Sequence, residues 1–79
     1  MIPLLLAACI SPPGPLEEYA TQLGVRFGEH LLEVSAPQQN GASYYLYANY
    51  MAGSWTILQV SELEIACIVK VGVKPGKAT

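Results

Sequence analysis

Apolar residues recur along residues 16–27 with the spacing of one helix face. Five of them stand at i, i+3, i+4, i+7 and i+11, namely Leu16, Tyr19, Ala20, Leu23 and Phe27. At 100° per residue they form one narrow stripe. Pro15 suits a first helical turn, and the two glutamates that follow suit the positive end of the helix dipole. The pattern predicts one amphipathic helix that ends near Gly24 or Gly28.

After this helix the period changes to that of β-strands. Four short apolar or aromatic runs follow, at residues 31–34, 43–50, 54–60 and 65–71. Turn-forming residues separate the runs, and Asn40-Gly41 is a strong turn signal. Because short connections join antiparallel neighbours, the sequence predicts an α+β fold, with one N-terminal helix packed on a four-stranded antiparallel meander.

The aromatic run at residues 43–50 indicates a candidate binding surface. Strand alternation places Tyr45 and Tyr47 on one face, and a second set on the other: Tyr44, Leu46, Ala48 and Tyr50. One helix covers only one face, so the other needs either the chain before Pro12 or a partner. The candidate binding residues are Tyr45, Tyr47, Tyr50 and Trp55, which offer large contact area at low entropy cost. Alternatively, the tyrosines complete a thin core, with their hydroxyls reaching water.

Composition narrows the class of protein. The chain has 79 residues, of which 52% are hydrophobic and 13% charged, so we expect one small folded domain and no extended disorder. Net charge is −2, and the four cations form no dense patch. Duplex nucleic acid requires several coordinated phosphate contacts, so we expect no nucleic-acid partner.

The first nine residues, MIPLLLAAC, bear on the compartment. An apolar run ending in small residues is typical of the end of a signal peptide, and it is too short for the roughly 20 residues that span a bilayer. An apolar first strand is the alternative. We therefore expect a signal-peptide remnant or apolar segment at 1–9, one domain at 10–73 and a flexible tail at 74–79. Export predicts a periplasmic or secreted protein.

The two cysteines, Cys9 and Cys67, lie near opposite ends of the chain. An even count in a small exported domain favours a disulfide. Two alternatives stay open. The thiols are unpaired in a reducing compartment, or Leu6-Ala7-Ala8-Cys9 is a bacterial lipobox. In the lipobox case Cys9 carries lipid, attaches the protein to a membrane, and leaves Cys67 free.

The sequences of the last two predicted strands are similar to those of a known group of proteins. The segment Gly53-Ser54-Trp55-Thr56-Ile57-Leu58, followed by Ala66-Cys67-Ile68-Val69 and Gly72, resembles a group of small uncharacterised bacterial secreted or periplasmic proteins. Those proteins have a signal peptide, an early Cys, a helix ending in a YGE-like segment, a GTWTIL-like strand and a C-L-V-A-x-G-like strand. Phe27-Gly28-Glu29 stands at the YGE-like position here, and Cys9 at the early Cys.

The sequence departs from that group at two places. Glu62-Leu63-Glu64 replaces a Gly-rich turn, and Val73-Lys74-Pro75-Gly76 replaces an acidic, aromatic ending. The resemblance implies export and a Cys9–Cys67 bridge. It brings no function that could be transferred.

Catalytic and metal-binding chemistry has few candidates. His30 is the one imidazole, the chain contains no Asp, and no phosphate-binding loop or nucleophile elbow is present. We expect no metal, no cofactor and no enzymatic activity. The alternative is a small hydrolase in which Glu29 and His30 act as an acid–base pair.

These observations predict a non-enzymatic, exported binding or interaction module. The expected partner is a protein or an envelope component, or a second copy held through an edge strand or the uncovered sheet face. The alternative from another class is a structural envelope lipoprotein anchored through Cys9.

Overall fold

A computed structural model describes residues 9–73; the predicted segment before residue 9 and the predicted tail at 74–79 lie outside the described residues. The elements are β1 Gly14–Pro15, α1 Leu16–Phe27, β2 His30–Val34, β3 Ser43–Asn49, β4 Ser54–Val60 and β5 Ile65–Val73. All strands join one antiparallel sheet with the order β1-β5-β4-β3-β2. The α+β class, the helix and the meander of β2 to β5 are confirmed.

The sheet has one more strand than the four predicted. β1 is only two residues long and pairs with the start of β5, with Gly14 opposite Ala66 and Pro15 opposite Ile65. The sequence did not predict this strand, because two residues are too few to show an alternating pattern and both Gly and Pro are unfavourable in strands. Proline is nevertheless tolerated at a sheet edge, where no ladder N–H is needed.

The helix begins directly after Pro15 and stops at Gly28, which adopts a left-handed conformation with φ 64°. Its N–H donates to Gly24 O at 3.1 Å. A side chain at Gly28 would also approach Asn49 Nδ2 to 2.8 Å. That amide donates to Phe27 O, also at 2.8 Å. Asn49 therefore fastens the end of the helix to the end of β3.

The core lies between α1 and one face of the sheet. Its buried members are Leu23, Tyr47, Leu58, Val60 and Ala66, and five further residues pack against them: Leu16, Tyr19, Ala20, Tyr45 and Ile68. The predicted helix stripe is confirmed except at its last member. Phe27 is 53% exposed, because it occupies the final helical position, past the buried part of the stripe.

Candidate functional site

The strand registers assign every central side chain to one of two faces, because directly opposite residues in antiparallel strands point the same way. On β3 and β4, Tyr45 faces Leu58 and Tyr47 faces Thr56. These residues form the helix face, which α1 covers. The alternate residues form the open face, which we define by eight residues: Glu33, Tyr44, Leu46, Ala48, Trp55, Ile57, Gln59 and Lys70.

The open face is ordered in rows across the strands. Lys70 lies opposite Ile57, Ile57 opposite Leu46, and Leu46 opposite Glu33. The middle row therefore runs from a cation on β5, through two aliphatic residues, to an anion on β2. Both charged residues are exposed, and both aliphatic residues are half-buried. An apolar centre thus lies between charges of opposite sign.

A second row contains the single tryptophan. This row runs across the sheet from Gly72 on β5, through Trp55 on β4 and Ala48 on β3, to His30 on β2. A Cβ at Gly72 would clash with Trp55 Cζ2 and come within 2.6 Å of Cε2, so the indole lies against the backbone of β5. Only glycine leaves room for this contact. Packing on one side restrains a large aromatic ring that stays half-buried on the open face.

The third row is more polar, and its members contact one another. Tyr44 lies opposite Gln59, and the Tyr44 hydroxyl donates to Gln59 Oε1 at 3.4 Å. The Tyr44 backbone N–H donates to Ser35 Oγ at 3.0 Å. Cys67 lies on the other side of Gln59. This row closes one end of the apolar centre.

Two shallow depressions lie at the centre of the open face, around Leu46. One, of about 340 Å³, is lined by Leu32, Leu46, Ala48, Tyr50 and Trp55, among others. The other, of about 140 Å³, is lined by Glu33, Ser35, Tyr44, Leu46 and Ile57. Leu46 belongs to both, so it marks the middle of the face.

The four predicted binding residues are divided between the two faces. Tyr47 is 6% exposed in the core and Tyr45 packs against it. Burial, and secondly the neighbouring Tyr45, raise the pKa of the Tyr47 hydroxyl. Trp55 lies on the open face, and Tyr50, 84% exposed, lines the depression beside it. The structure therefore does not bring the four together.

Sequence reasoning left Tyr44, Leu46 and Ile57 out of the candidate site. Alternation had separated the two tyrosine sets correctly, but it does not reveal which set a helix covers. The neighbouring strand does not decide it either, because Leu58 and Val60 share a face with Tyr45, while Ile57 and Trp55 share a face with Leu46.

A separate groove lies between α1 and residues 12–14. Its volume is about 380 Å³, and its lining includes Pro12, Tyr19, Arg26 and Phe27. The Tyr19 hydroxyl donates to Pro12 O and lies 2.7 Å from Ser11 Oγ. The one tyrosine of this groove is therefore engaged in attaching the chain that leads into β1.

The Cys9–Cys67 disulfide is present, with Cα atoms 5.7 Å apart, as bridged cysteines require. The adjoining chain follows β5. Ile10 N–H donates to Ile68 O at 2.7 Å, and Ser11 Oγ accepts from Ile68 N–H at 2.8 Å. Residues 9–11 therefore run beside the edge of β5 and do not cross the open face. Because the sulfur of Cys9 is bonded to Cys67, it cannot also carry a lipid, and neither cysteine is a free thiol.

Glu29 and His30 are not paired in the structure. Glu29 is 4% exposed, and its Oε1 has no hydrogen-bond partner among residues 9–73. His30 is exposed at the rim of the open face, opposite Ala48. Within the described part of the chain, no three metal-ligating side chains form a cluster. No helix between residues 9 and 73 is long and apolar enough to cross a bilayer.

Comparison with known proteins gave no match: no protein-family model, no curated protein and no solved structure matches this chain. The resemblance of the Trp55 and Cys67 strands to small bacterial secreted proteins stays a prediction.

Proposed function

We propose that this protein is a non-enzymatic binding module that contacts another protein through the open face of its sheet. One observation carries the proposal. α1 covers only the helix face, while a continuous set of aromatic and aliphatic side chains lies on the other face with no element of residues 9–73 packed over its centre. Contiguous apolar surface of this kind marks interaction sites.

The make-up of the open face supports a protein partner. Leu46, Ile57 and Trp55 provide an apolar centre, and Lys70 and Glu33 provide a charged rim. Protein interfaces have this arrangement, with charge depleted at the centre and aromatic residues enriched. Sites for small molecules are instead concave and enclose most of the ligand. A sheet face with shallow depressions suits a broad partner better.

The disulfide supports an oxidising compartment. Such bridges persist in the periplasm and outside cells, and are rare in the cytosol. We therefore place the proposed interaction outside the cytoplasm, where the partner would be an exported protein or an envelope component.

Site-specific photo-crosslinking tests this function. A benzophenone amino acid replaces Leu46 at the middle of the open face, and illumination follows in the cells that make the protein. The matched control places it at Val25, which is strongly exposed on the helix. We expect one discrete protein adduct from position 46 and none from position 25.

The adduct must also depend on the surface around it. Trp55→Ala in the chain labelled at position 46 should reduce the adduct several-fold, because it removes the largest side chain of the open face. Val71→Ala, at an exposed position outside that face, should leave the adduct unchanged. Equal labelling from positions 46 and 25, or no adduct from position 46, would refute a binding role for the open face.

A further inference from the structure

We infer that the partner of the open face is a second copy of this chain, stacked face to face about a two-fold axis that runs parallel to the strands. This inference rests on the proposed function and names the partner. It comes from the charge pattern of the middle row, Lys70–Ile57–Leu46–Glu33.

The middle row is complementary to itself. Lys70 and Glu33 lie three strand spacings apart, about 14 Å at the usual spacing. A two-fold axis along the strands, placed between β3 and β4, exchanges the two ends of the row. Lys70 of one copy then meets Glu33 of the other, and the pair occurs twice. Opposite charges across an interface favour the correct partner and fix its orientation.

The same operation brings apolar residues against apolar ones. Ile57 of one copy comes over Leu46 of the other, and Trp55 comes over Ala48, because each pair lies opposite across β3 and β4. The indole already lies against Gly72, and the axis places His30 of the second copy over that glycine, so the free side of the indole would meet the alanine and His30 of the second copy. Stacked sheets pack about 10 Å apart with interdigitating side chains.

The charge pattern also discriminates between possible axes. A two-fold axis that lies in the interface and is perpendicular to the strands would place each end of the row over the same end in the second copy. Lys70 would then meet Lys70, and Glu33 would meet Glu33. Like charges in contact are unfavourable, so only the axis parallel to the strands satisfies both ends.

The size of the surface sets the expected affinity. Four strands and three rows give a face about 20 Å on a side, or roughly 400 Å² per copy. This is about half of the roughly 800 Å² per partner that standard interfaces bury, which is the size of a weak, transient contact. We therefore expect a weak dimer, with a Kd of about 10–500 μM.

Sedimentation equilibrium of the full chain tests the inference. We expect the mass to rise from that of the 8.5 kDa chain towards twice that value between about 10 μM and 1 mM protein. Trp55 emission should shift to shorter wavelength over the same range, because the second copy would exclude water from the indole.

Charge reversal gives the decisive comparison. Lys70→Glu makes both ends of the row acidic, and Glu33→Lys makes both ends basic. Each variant alone should dimerise at least about tenfold more weakly, since it loses two ion pairs and places like charges in contact. An equimolar mixture of the two should form a heterodimer of roughly wild-type affinity. A chain carrying both reversals should again form a homodimer.

Matched reversals away from the open face provide the control. Arg26→Glu and Glu18→Lys make the same charge changes at exposed helix positions and should leave the Kd unchanged. All four positions are exposed, so we expect each variant to fold, and circular dichroism with urea denaturation verifies this.

Three outcomes would overturn the inference. The wild type stays monomeric at 1 mM; or the mixed single variants fail to associate although the wild type dimerises; or the dimer ignores charge reversal and is lost on Val34→Pro. Ser35 N–H donates to Tyr44 O, so the N–H of neighbouring Val34 points away from β3. Proline there blocks only pairing at the edge of β2.

The failure of this inference can be distinguished from the failure of the proposed function. A monomeric wild type whose position-46 crosslinker still yields an adduct of a different protein overturns self-association and leaves the binding module intact. A monomer with no adduct overturns both. A position-46 adduct of twice the chain mass, absent from either reversal variant alone, supports both.

Discussion

The two faces of this sheet are built from the same strands and nearly the same residue types, yet they differ in what covers them. β3 gives Tyr45 and Tyr47 to the helix face, and Tyr44 and Leu46 to the open face. Tyr47 is almost fully buried, whereas its neighbours Tyr44 and Leu46 are only half-buried. The difference comes from where the single helix packs, because alternation alone makes both faces apolar.

This comparison shows that the domain has more apolar sheet surface than its one helix can cover. A chain of this length has a small core, and it gains stability from every side chain it buries. Keeping aromatic and aliphatic residues on an uncovered face adds little to folding and promotes association. The helix face therefore serves stability, and the open face is the surface that we propose for binding.

The disulfide provides the largest expected effect, because it closes a long loop that contains almost the whole domain. Cys67 lies beside Gln59 in the third row and is 4% exposed. The bridge closes a loop with a sequence separation of 58, so its loss should lower the free energy of unfolding by about 4 kcal/mol in the chain-entropy model. Urea denaturation of Cys9→Ser with Cys67→Ser measures this.

A second variant separates the bridge from the buried hydroxyl that serine introduces. Cys9→Ser with Cys67→Ala should be slightly more stable than the double serine variant, because no polar group is then buried at position 67. A loss below about 1 kcal/mol in both variants would show that the loop constraint contributes little.

Truncating one tyrosine on each face tests the comparison directly. Tyr47→Ala should cost about 3 kcal/mol, because it opens a cavity in the core beside Leu58. Tyr44→Ala should cost less than about 1 kcal/mol, since it removes a half-buried side chain and one long hydrogen bond. Both free energies of unfolding come from urea titrations at a protein concentration below the expected Kd. Equal losses would contradict the division into a packed face and an open one.

The smallest expected effect is a pH dependence carried by Tyr47. Burial raises the pKa of its hydroxyl above the ordinary 10.0, so the unfolded chain loses this proton first as the pH rises. The contribution of Tyr47 to stability is therefore complete below pH 10.0 and is lost as the pH rises through the higher folded-state value. Tyr47→Phe should flatten the fall in unfolding free energy above pH 10.0.

Tyr44→Phe is the matched control for that measurement. It removes a tyrosine hydroxyl from the open face, and an alkaline fall that is caused by burial of Tyr47 remains in this variant. Urea titrations one pH unit either side of 10.0 compare the three proteins. An equal flattening by both variants would mean that burial of Tyr47 is not the cause.

Much of the fold could be predicted from the sequence, because its main signals are local. The stripe of α1 and the alternation of β3 and β4 are periodic and long enough to detect. The Asn40-Gly41 turn is confirmed by a Gly41 N–H to Gln38 O hydrogen bond of 2.9 Å. β1 was missed because two residues, one of them proline, carry no period.

The candidate site was harder to predict, because it depends on tertiary packing. Alternation places Tyr45 and Tyr47 together, but only the position of α1 makes that pair part of the core. The row from Lys70 to Glu33 depends on the registers of three strand pairs, with bulges near Leu32 and after Ile57. A bulge reverses which face the following residues occupy, so neither charge could be assigned to a face from the sequence.

The disulfide also determines how this domain would respond to mechanical tension. A pulling force on the two ends of the chain passes through the disulfide and enters β5 at Cys67. It bypasses the 57 residues between the bridged cysteines, one fewer than their separation of 58. Only residues 68–73 of β5 could then be peeled from β4. Without the bridge, the same pull could unravel those 57 residues to about 190 Å. The bridge therefore keeps the helix and strands β1 to β4 out of the load path.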